Sequence, residues 1–143
     1  MKYSWIFASE ETHAPITELK TLKKTNGYDC SLGLFYGKTP VGTGRLMKEN
    51  WDKKRVHTEN VRLLKGCRYK GHGIHLYKAL IECARQLGVT RIYSSSRLNK
   101  LSTRMWAKKL PAAGFDVHEI EMTRTCYRCK GKHKKKRYYV ELR

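Results

Sequence analysis

Residues 68–73 read Arg68-Tyr69-Lys70-Gly71-His72-Gly73, and the apolar residues that follow them have helical spacing. The two glycines lack a Cβ atom, so their backbone N–H groups can come close to a phosphate. A helix that begins here adds N–H groups without intrahelical acceptors and the positive end of its dipole. An R-x-x-G-x-G turn between a strand and a helix therefore predicts a binding site for a pyrophosphate.

The segments on both sides of this turn fit a strand-turn-helix-strand unit. Residues 56–65 end in an apolar pair and predict the strand that leads into the turn. Beyond the turn, apolar side chains recur three and four residues apart, as on the buried face of a helix: Ile74, Tyr77, Leu80, Ile81, Ala84 and Leu87. Gly88 is typical of a helix end, and residues 89–95 predict a short strand. Two strands joined in this way lie parallel.

The rest of the chain predicts further strands at both ends and two more helices. The predicted strands are residues 2–8, 30–35, 41–47, 117–127 and 137–142, and the predicted helices are residues 10–24 and 98–110. Residues 48–55 are polar and basic and predict a loop, and Pro111 is expected to end the last helix. The predicted fold class is α+β, with a mixed, mainly antiparallel central sheet of six to seven strands flanked by helices. We expect one domain over residues 1–143.

Charge is the most unusual property of the composition. The 143 residues include 31 Lys and Arg against 12 Asp and Glu, which gives a formal net charge of +19. Because such an excess favours polyanionic partners, we expect nucleic acid or a nucleoprotein as a partner. No apolar run reaches the roughly 18 residues of a membrane span, and the first seven residues do not resemble a secretory signal. The sequence thus predicts a soluble, cytoplasmic protein whose five cysteines are mostly free thiols.

The positive charge is concentrated in residues 123–137, a predicted hairpin without acidic residues. Basic side chains neutralise phosphates, and the flanking Tyr127 and Tyr138 could stack on bases. The candidate nucleic-acid contacts are Arg128, Lys130, Lys132, Lys134, Lys135, Lys136 and Arg137. A second basic group around Trp51 consists of Lys48, Lys53, Lys54 and Arg55. The alternative interpretation of both groups is a solvated charged face.

The same hairpin contains a spacing found in metal sites, Cys126-x-x-Cys129-x-x-x-His133. Two thiolates and one imidazole are part of a tetrahedral zinc site. The sequence offers no second pair of this kind, although His118 could complete the set in space. We therefore expect free thiols rather than zinc.

Four features in the same order resemble the GNAT superfamily of N-acetyltransferases: Arg68-x-x-Gly71-x-Gly73, Asn99, Gly114-Phe115 and the closing residues 138–142. The resemblance runs from about residue 41 to residue 142. It implies a GNAT-like acyl-CoA N-acyltransferase fold with acetyl-CoA as the acetyl donor. The structure of this family also implies that the strand before the loop separates from its neighbour, so that free backbone groups can bind the pantetheine arm.

Transferred onto this sequence, the resemblance assigns the coenzyme contacts. The pantetheine arm would contact Leu63, Leu64 and Lys65. The phosphates would be bound by Arg68, Tyr69, Lys70, Gly71, His72, Gly73 and Ile74. Asn99 would face the coenzyme near the thioester.

Acetyl transfer to an amine requires a base for the amine and a proton for the departing thiolate. His57 and Glu59 lie two apart on the predicted strand, so they share one face and are the candidate bases. The family's usual tyrosine is missing from the helix before Gly114, where the nearest aromatic residue is Trp106. Ser95 is the candidate proton donor in its place, together with Ser94, Ser96 and Tyr93.

These observations predict an acetyl-CoA-dependent N-acetyltransferase. The predicted acceptor is a primary amine on an aminoacyl-tRNA, a modified base, or a ribosomal or DNA-bound protein. One alternative is a basic nucleic-acid-binding module that has this fold and little or no turnover. Another is a small-molecule amine acetyltransferase, which the scarcity of acidic residues disfavours. Both a monomer and a homodimer are compatible with the sequence.

Overall fold

Seven strands form one mixed sheet in the computed structural model, which describes residues 2–9, 30–49, 52–95, 98–125 and 128–142. The strands are β1 (Tyr3–Ser9), β2 (Cys30–Tyr36), β3 (Thr39–Glu49), β4 (Asp52–Leu63), β5 (Arg91–Tyr93), β6 (Val117–Thr125) and β7 (Lys132–Glu141). Their order across the sheet is β1-β2-β3-β4-β5-β7-β6. β4 and β5 are parallel, and the other neighbouring pairs are antiparallel. This topology confirms the predicted α+β class.

Two helical segments contact each other over the sheet. The first, α1, is Gly73–Gln86, which confirms the helix predicted from apolar spacing. The second, α2, consists of Lys100–Arg104, a π-helical turn Met105–Lys109 and a last turn Leu110–Ala112. Tyr77 of α1 and Trp106 of α2 meet edge to face, with ring centroids 5.8 Å apart. The predicted helix over residues 10–24 lies outside the described residues.

The core lies between α1 and strands β2 to β5. Glycines in β3 let α1 approach the sheet closely, because a Cβ atom at Gly42 would lie 3.0 Å from a side-chain carbon of Leu76. A Cβ atom at Gly44 would lie equally close to Leu80. A row of fully or almost fully buried residues crosses the sheet beneath the helices: Leu46, Val56, Ile92 and Val140. Since side chains alternate along strands, the neighbouring row of His57, Tyr93 and Tyr139 lies on the opposite face.

Three predicted element boundaries are wrong. The predicted loop over residues 48–55 is largely strand, because β3 extends to Glu49 and β4 already begins at Asp52. Strand β7 begins at Lys132 rather than at residue 137, since pairing with β6 holds its lysines in register despite their low strand preference. Pro111 does not end the second helix: it lies in the last turn, Leu110–Ala112, which directly follows the π-helical turn Met105–Lys109, where the hydrogen-bond pattern is already shifted.

Strand β5 is also shorter than predicted, with three residues. Among the described residues, no helix has both the length and the apolar character needed to span a membrane.

Candidate active site

Strands β4 and β5 are paired over only three residues and then separate. The pairs are Arg55 with Arg91, Val56 with Ile92, and His57 with Tyr93. After Tyr93 the chain turns towards β7, where the Ser94 N–H donates to the Tyr138 carbonyl over 2.8 Å. β4 continues to Leu63, and within the described part of the chain residues 58–63 have no strand partner on the side of β5. Such an edge can bind the amides of an extended ligand.

A bulge in β4 lies beside this gap. The register with β3 shifts between Thr43 and Arg45, which pair with Arg62 and Glu59, and Asn60 between them has a φ of 50°. A bulge bends its strand and increases the local twist. The other edge of β4 stays attached to β3 up to the turn, because the Leu64 N–H donates to the Val41 carbonyl over 2.9 Å. Residues 63–65, the predicted pantetheine contacts, lie where β4 ends and the turn begins.

The predicted phosphate turn connects this edge to α1 with an open outer side. Arg68, Tyr69 and Lys70 are exposed, and Gly71 has a φ of 81°, which favours glycine. A Cβ atom at Gly71 would meet no other atom within 4 Å. α1 begins at Gly73 without an acidic residue in its first turn, and no side chain caps it. The N–H groups of Gly73 and Ile74 therefore have no intrahelical acceptor and suit an anion.

The predicted bases are in contact with each other. His57 Nε2 lies 3.0 Å from Glu59 Oε1, and the exposed fraction is 18% for the His57 side chain and 41% for that of Glu59. His57 Nδ1 is buried, 3.8 Å from Glu49 Oε2, which is beyond hydrogen-bond reach. Glu49 is a residue that the sequence analysis missed, since it falls in the predicted loop. Glu49 and His57 are only eight positions apart, but this spacing alone does not predict a contact. The pairing of β3 with β4 brings the two side chains together.

Arg137 lies in this site and not on the exposed basic hairpin. Its guanidinium forms an ion pair with Glu49, donates from Nε to the Ser94 carbonyl over 3.0 Å, and lies 4.7 Å from the Tyr93 ring centroid. Its side chain is only 11% exposed. The prediction that Arg137 contacts nucleic acid stays a prediction, although its side chain is engaged by Glu49 and the Ser94 carbonyl.

The predicted proton donors differ in how their hydroxyl groups are used. The buried Ser94 hydroxyl accepts from the Tyr138 N–H over 3.1 Å and donates to the Ser95 carbonyl over 3.3 Å. The Tyr93 hydroxyl accepts from Arg55 at 3.3 Å and from Arg91 at 3.4 Å. Ser95 is half-buried at the end of β5, beside the gap, and Ser96 lies outside the described residues.

Two buried aromatic residues of the core, Trp106 and Tyr77, keep their protons at neutral pH. Trp106 is fully buried, and an indole N–H does not ionise in this range. Burial raises the pKa of Tyr77, against which Trp106 packs, to about 12.

Asn99 is the N-cap of α2. Its Oδ1 accepts from the Ser102 N–H over 2.9 Å, and its own N–H donates to the Ser102 hydroxyl over 3.0 Å. This reciprocal pair fixes the start of the helix, as capping residues do. The Asn99 side chain is thus used in this cap. That Asn99 faces the coenzyme stays a prediction.

The hairpin between β6 and β7 presents the remaining predicted cations to solvent. Its exposed cationic side chains are Arg128, Lys130, Lys132, Lys134, Lys135 and Lys136. Lys136 Nζ lies 3.0 Å from Glu119 Oε1. Cys129 Sγ lies 2.9 Å from His133 Nε2, and Cys126 falls outside the described residues. Within the described part of the chain, no three His, Cys, Asp or Glu side chains cluster as metal ligands.

Comparisons with known proteins agree with this geometry. A model of the acetyltransferase (GNAT) family matches residues 2–110. The structure of yncA from Salmonella typhimurium with its cofactor acetyl-CoA is similar, with 18% identity, a TM-score of 0.60, and coverage of 86% of this chain and 69% of that chain. A Bacillus subtilis acetyltransferase in complex with CoA has 16% identity, a TM-score of 0.56, and coverage of 94% and 87%.

A third similar structure is the ribosomal-protein-alanine N-acetyltransferase from Brucella melitensis, with 16% identity, a TM-score of 0.60, and coverage of 87% of this chain and 74% of that chain. A search of curated protein sequences found no significant match. The family match spans most of the sequence, and the sheet order and the gap between β4 and β5 agree with it. The chain therefore belongs to the acetyltransferase (GNAT) family and is an N-acetyltransferase.

Proposed function

We propose that the acetyl acceptor is a primary amine on a nucleic-acid-associated molecule: an aminoacyl-tRNA, a modified base, or a ribosomal or DNA-bound protein. The observation that carries this proposal is the hairpin between β6 and β7. It exposes six cationic side chains between residues 128 and 136, and Glu119 is the described acid that pairs with one of them. The net charge of +19 adds a long-range attraction to polyanions. A small cationic amine would be repelled by the same field.

The coenzyme fits the gap between β4 and β5 and the start of α1. Residues 58–63 of β4 offer N–H and C=O groups on this side to the amides of the pantetheine arm, whereas the Leu64 N–H donates to the Val41 carbonyl and the Leu64 carbonyl accepts from the Cys67 N–H. The open turn at residues 68–72 and the free N–H groups of Gly73 and Ile74 suit its diphosphate. Acetyl-CoA supplies the activated thioester. The chain orients it and keeps its reacting carbon near the point where the two strands separate, beside His57 and Ser95.

Glu59 is the better placed of the two candidate bases. Its carboxylate is more exposed than His57, whose Nδ1 is buried and whose Nε2 faces Glu59. In this arrangement Glu59 accepts the proton of the attacking amine, and the His57 N–H orients the carboxylate. The Ser95 hydroxyl, beside the gap, is the proposed proton donor to the departing thiolate.

The acid–base assignment predicts unequal effects of two substitutions. Glu59→Gln removes the proton acceptor but keeps the shape, so kcat should fall by about 10²-fold or more. His57→Asn should lower kcat less, because the carboxylate remains. Steady-state kinetics with a saturating acceptor would measure both. A Glu59→Gln enzyme with wild-type kcat would exclude Glu59 as the base.

The acceptor class can be identified by labelling. The protein is incubated with radiolabelled acetyl-CoA and separately with purified tRNA, ribosomes, DNA and a pool of small amines. We expect label in the tRNA or ribosomal fraction, and treatment with nuclease or protease then separates an RNA-linked from a protein-linked amine. Transfer to the small-amine pool alone would overturn the proposed acceptor.

The role of the hairpin requires a charge-matched control. A triple variant, Lys132→Ala, Lys134→Ala and Lys135→Ala, should weaken RNA binding. The slope of log K against log salt should decrease by about 0.7 for each lost contact to a single strand. The control removes three exposed lysines of α2: Lys100, Lys108 and Lys109. Equal loss in both variants would show that net charge, and not this surface, determines binding.

A further inference from the structure

The first strand is linked to the phosphate turn by one side-chain hydrogen bond. The Tyr3 hydroxyl lies 2.7 Å from His72 Nδ1, across 69 positions of the chain. Tyr3 also stacks on His75, with ring centroids 3.9 Å apart and an angle of 16° between the rings. Tyr36 is the register partner of Tyr3 in β2, and its ring lies 5.4 Å from that of His72. β1 thus holds the start of α1 through aromatic rings and one hydrogen bond.

His72 is the buried anchor of an otherwise exposed turn. It is 9% exposed, whereas the side chains of Arg68, Tyr69 and Lys70 point to solvent and Gly71 is also exposed. Tyr69 and Gly71 have positive φ angles of 63° and 81°. The His72 side chain attaches the end of this turn to β1 through Tyr3, and the Cys67 thiol, 3.8 Å from the Pro40 carbonyl, attaches its start to β3.

The backbone of His72 also starts α1. Its carbonyl accepts from the N–H groups of His75 and Leu76, each over 3.1 Å. The His72 side chain caps none of the free N–H groups at the helix start. Its Nδ1 is engaged by Tyr3 instead, which leaves the N–H groups of Gly73 and Ile74 for a ligand. The contacts of the His72 side chain therefore hold the residue that directly precedes these N–H groups.

We propose that Tyr3 is a positioning residue for the coenzyme: through the hydrogen bond between its hydroxyl and His72 Nδ1, it holds the phosphate turn in the conformation that binds the diphosphate. This inference rests on the proposed assignment of residues 68–74 to the diphosphate. It makes β1, at the edge of the sheet, a determinant of coenzyme affinity although it contributes no contact to the proposed site.

The test compares Tyr3→Phe with Tyr36→Phe, which removes a hydroxyl from the neighbouring ring and keeps both aromatic rings. We expect Tyr3→Phe to raise the Kd for CoA and the KM for acetyl-CoA by roughly 3- to 10-fold, the effect of one hydrogen bond. Its kcat should change by less than about 2-fold, because the chemistry takes place elsewhere. Tyr36→Phe should leave the Kd for CoA unchanged. Calorimetric titration and steady-state kinetics give these values.

A second pair of variants separates positioning from general loss of structure. His72→Asn keeps an acceptor near the position of Nδ1 and should retain most of the affinity, whereas His72→Leu should behave like Tyr3→Phe. The double variant with Tyr3→Phe and His72→Leu should be no worse than either single one. Wild-type affinity in Tyr3→Phe, or equal loss in Tyr36→Phe, would overturn the inference.

Gly71→Glu, measured in the same titration, tests the site itself. It adds a carboxylate to the turn and should abolish CoA binding. If Gly71→Glu abolishes binding and Tyr3→Phe does not weaken it, the role of Tyr3 fails while the site stands. If Gly71→Glu binds CoA normally, the diphosphate lies elsewhere and both proposals fail.

Discussion

Replacing Arg137 by methionine should lower the free energy of unfolding by about 3 kcal/mol. The side chains of Arg137 and Glu49 are only 11% and 9% exposed, so the substitution leaves a carboxylate in the interior without its cation. It also removes the hydrogen bond from Nε to the Ser94 carbonyl and the contact with the Tyr93 ring. Methionine keeps much of the volume, which limits the effect of a cavity. Against a typical stability of about 5–15 kcal/mol, this is a large loss.

Urea unfolding, followed by tryptophan fluorescence, measures the effect. A double-mutant cycle with Glu49→Gln isolates the pair, and we expect a coupling of about 1–3 kcal/mol because each single variant strands a buried partner. The control variant is Lys136→Met, which removes a cation from the same strand. The Lys136 side chain is 63% exposed and that of its partner Glu119 is 48% exposed. Lys136→Met should therefore lower the free energy of unfolding far less than Arg137→Met, and high salt should abolish this small effect.

Two results would refute this reasoning. The first is unfolding of Arg137→Met at the same urea concentration as Lys136→Met, which would mean that burial does not strengthen the pair. Alternatively, the cycle could give a coupling below about 0.5 kcal/mol, the level found for independent sites. In that case the loss in Arg137→Met would come from packing alone.

Two further predictions concern the packing and the titration of α1. Gly42→Ala should cost about 1–3 kcal/mol, because the added carbon lies 3.0 Å from a side chain of α1 and 3.1 Å from a backbone oxygen. Gly33→Ala, whose nearest contact is 3.7 Å, should cost much less in the same urea titration. Burial, followed by the charges of Lys78 and His72, lowers the pKa of His75 below its ordinary value of 6.5. The unfolded chain then binds the proton more readily, so this contribution to stability is complete above pH 6.5 and is lost as the pH falls through the folded pKa. His75→Asn should reduce the dependence of the urea midpoint on pH between 5 and 7, and an unchanged dependence would contradict the assignment.

Much of the fold could be predicted from the sequence because its signals are local. The spacing of apolar residues indicates α1, and the glycines at 71 and 73 indicate the turn before it. The strand lysines of β7 gave no such signal. Lysine has a low preference for strands, and only the pairing of residues 132–141 with β6 makes this segment extended. Composition therefore suggested loops both there and at residues 48–55.

Some features of the candidate site could likewise be predicted from the sequence, and others could not. The sequence by itself determined the turn that suits a diphosphate, the helix behind it and the proximity of His57 to Glu59, since these depend on residues close in the chain. Only the tertiary structure decided that Arg137 neutralises Glu49 across 88 positions and that Tyr3 reaches His72 across 69. Both contacts follow from strand order and register. A register shift of one residue would move these side chains to the opposite face of the sheet. No local pattern of residues encodes which distant strand end becomes a neighbour.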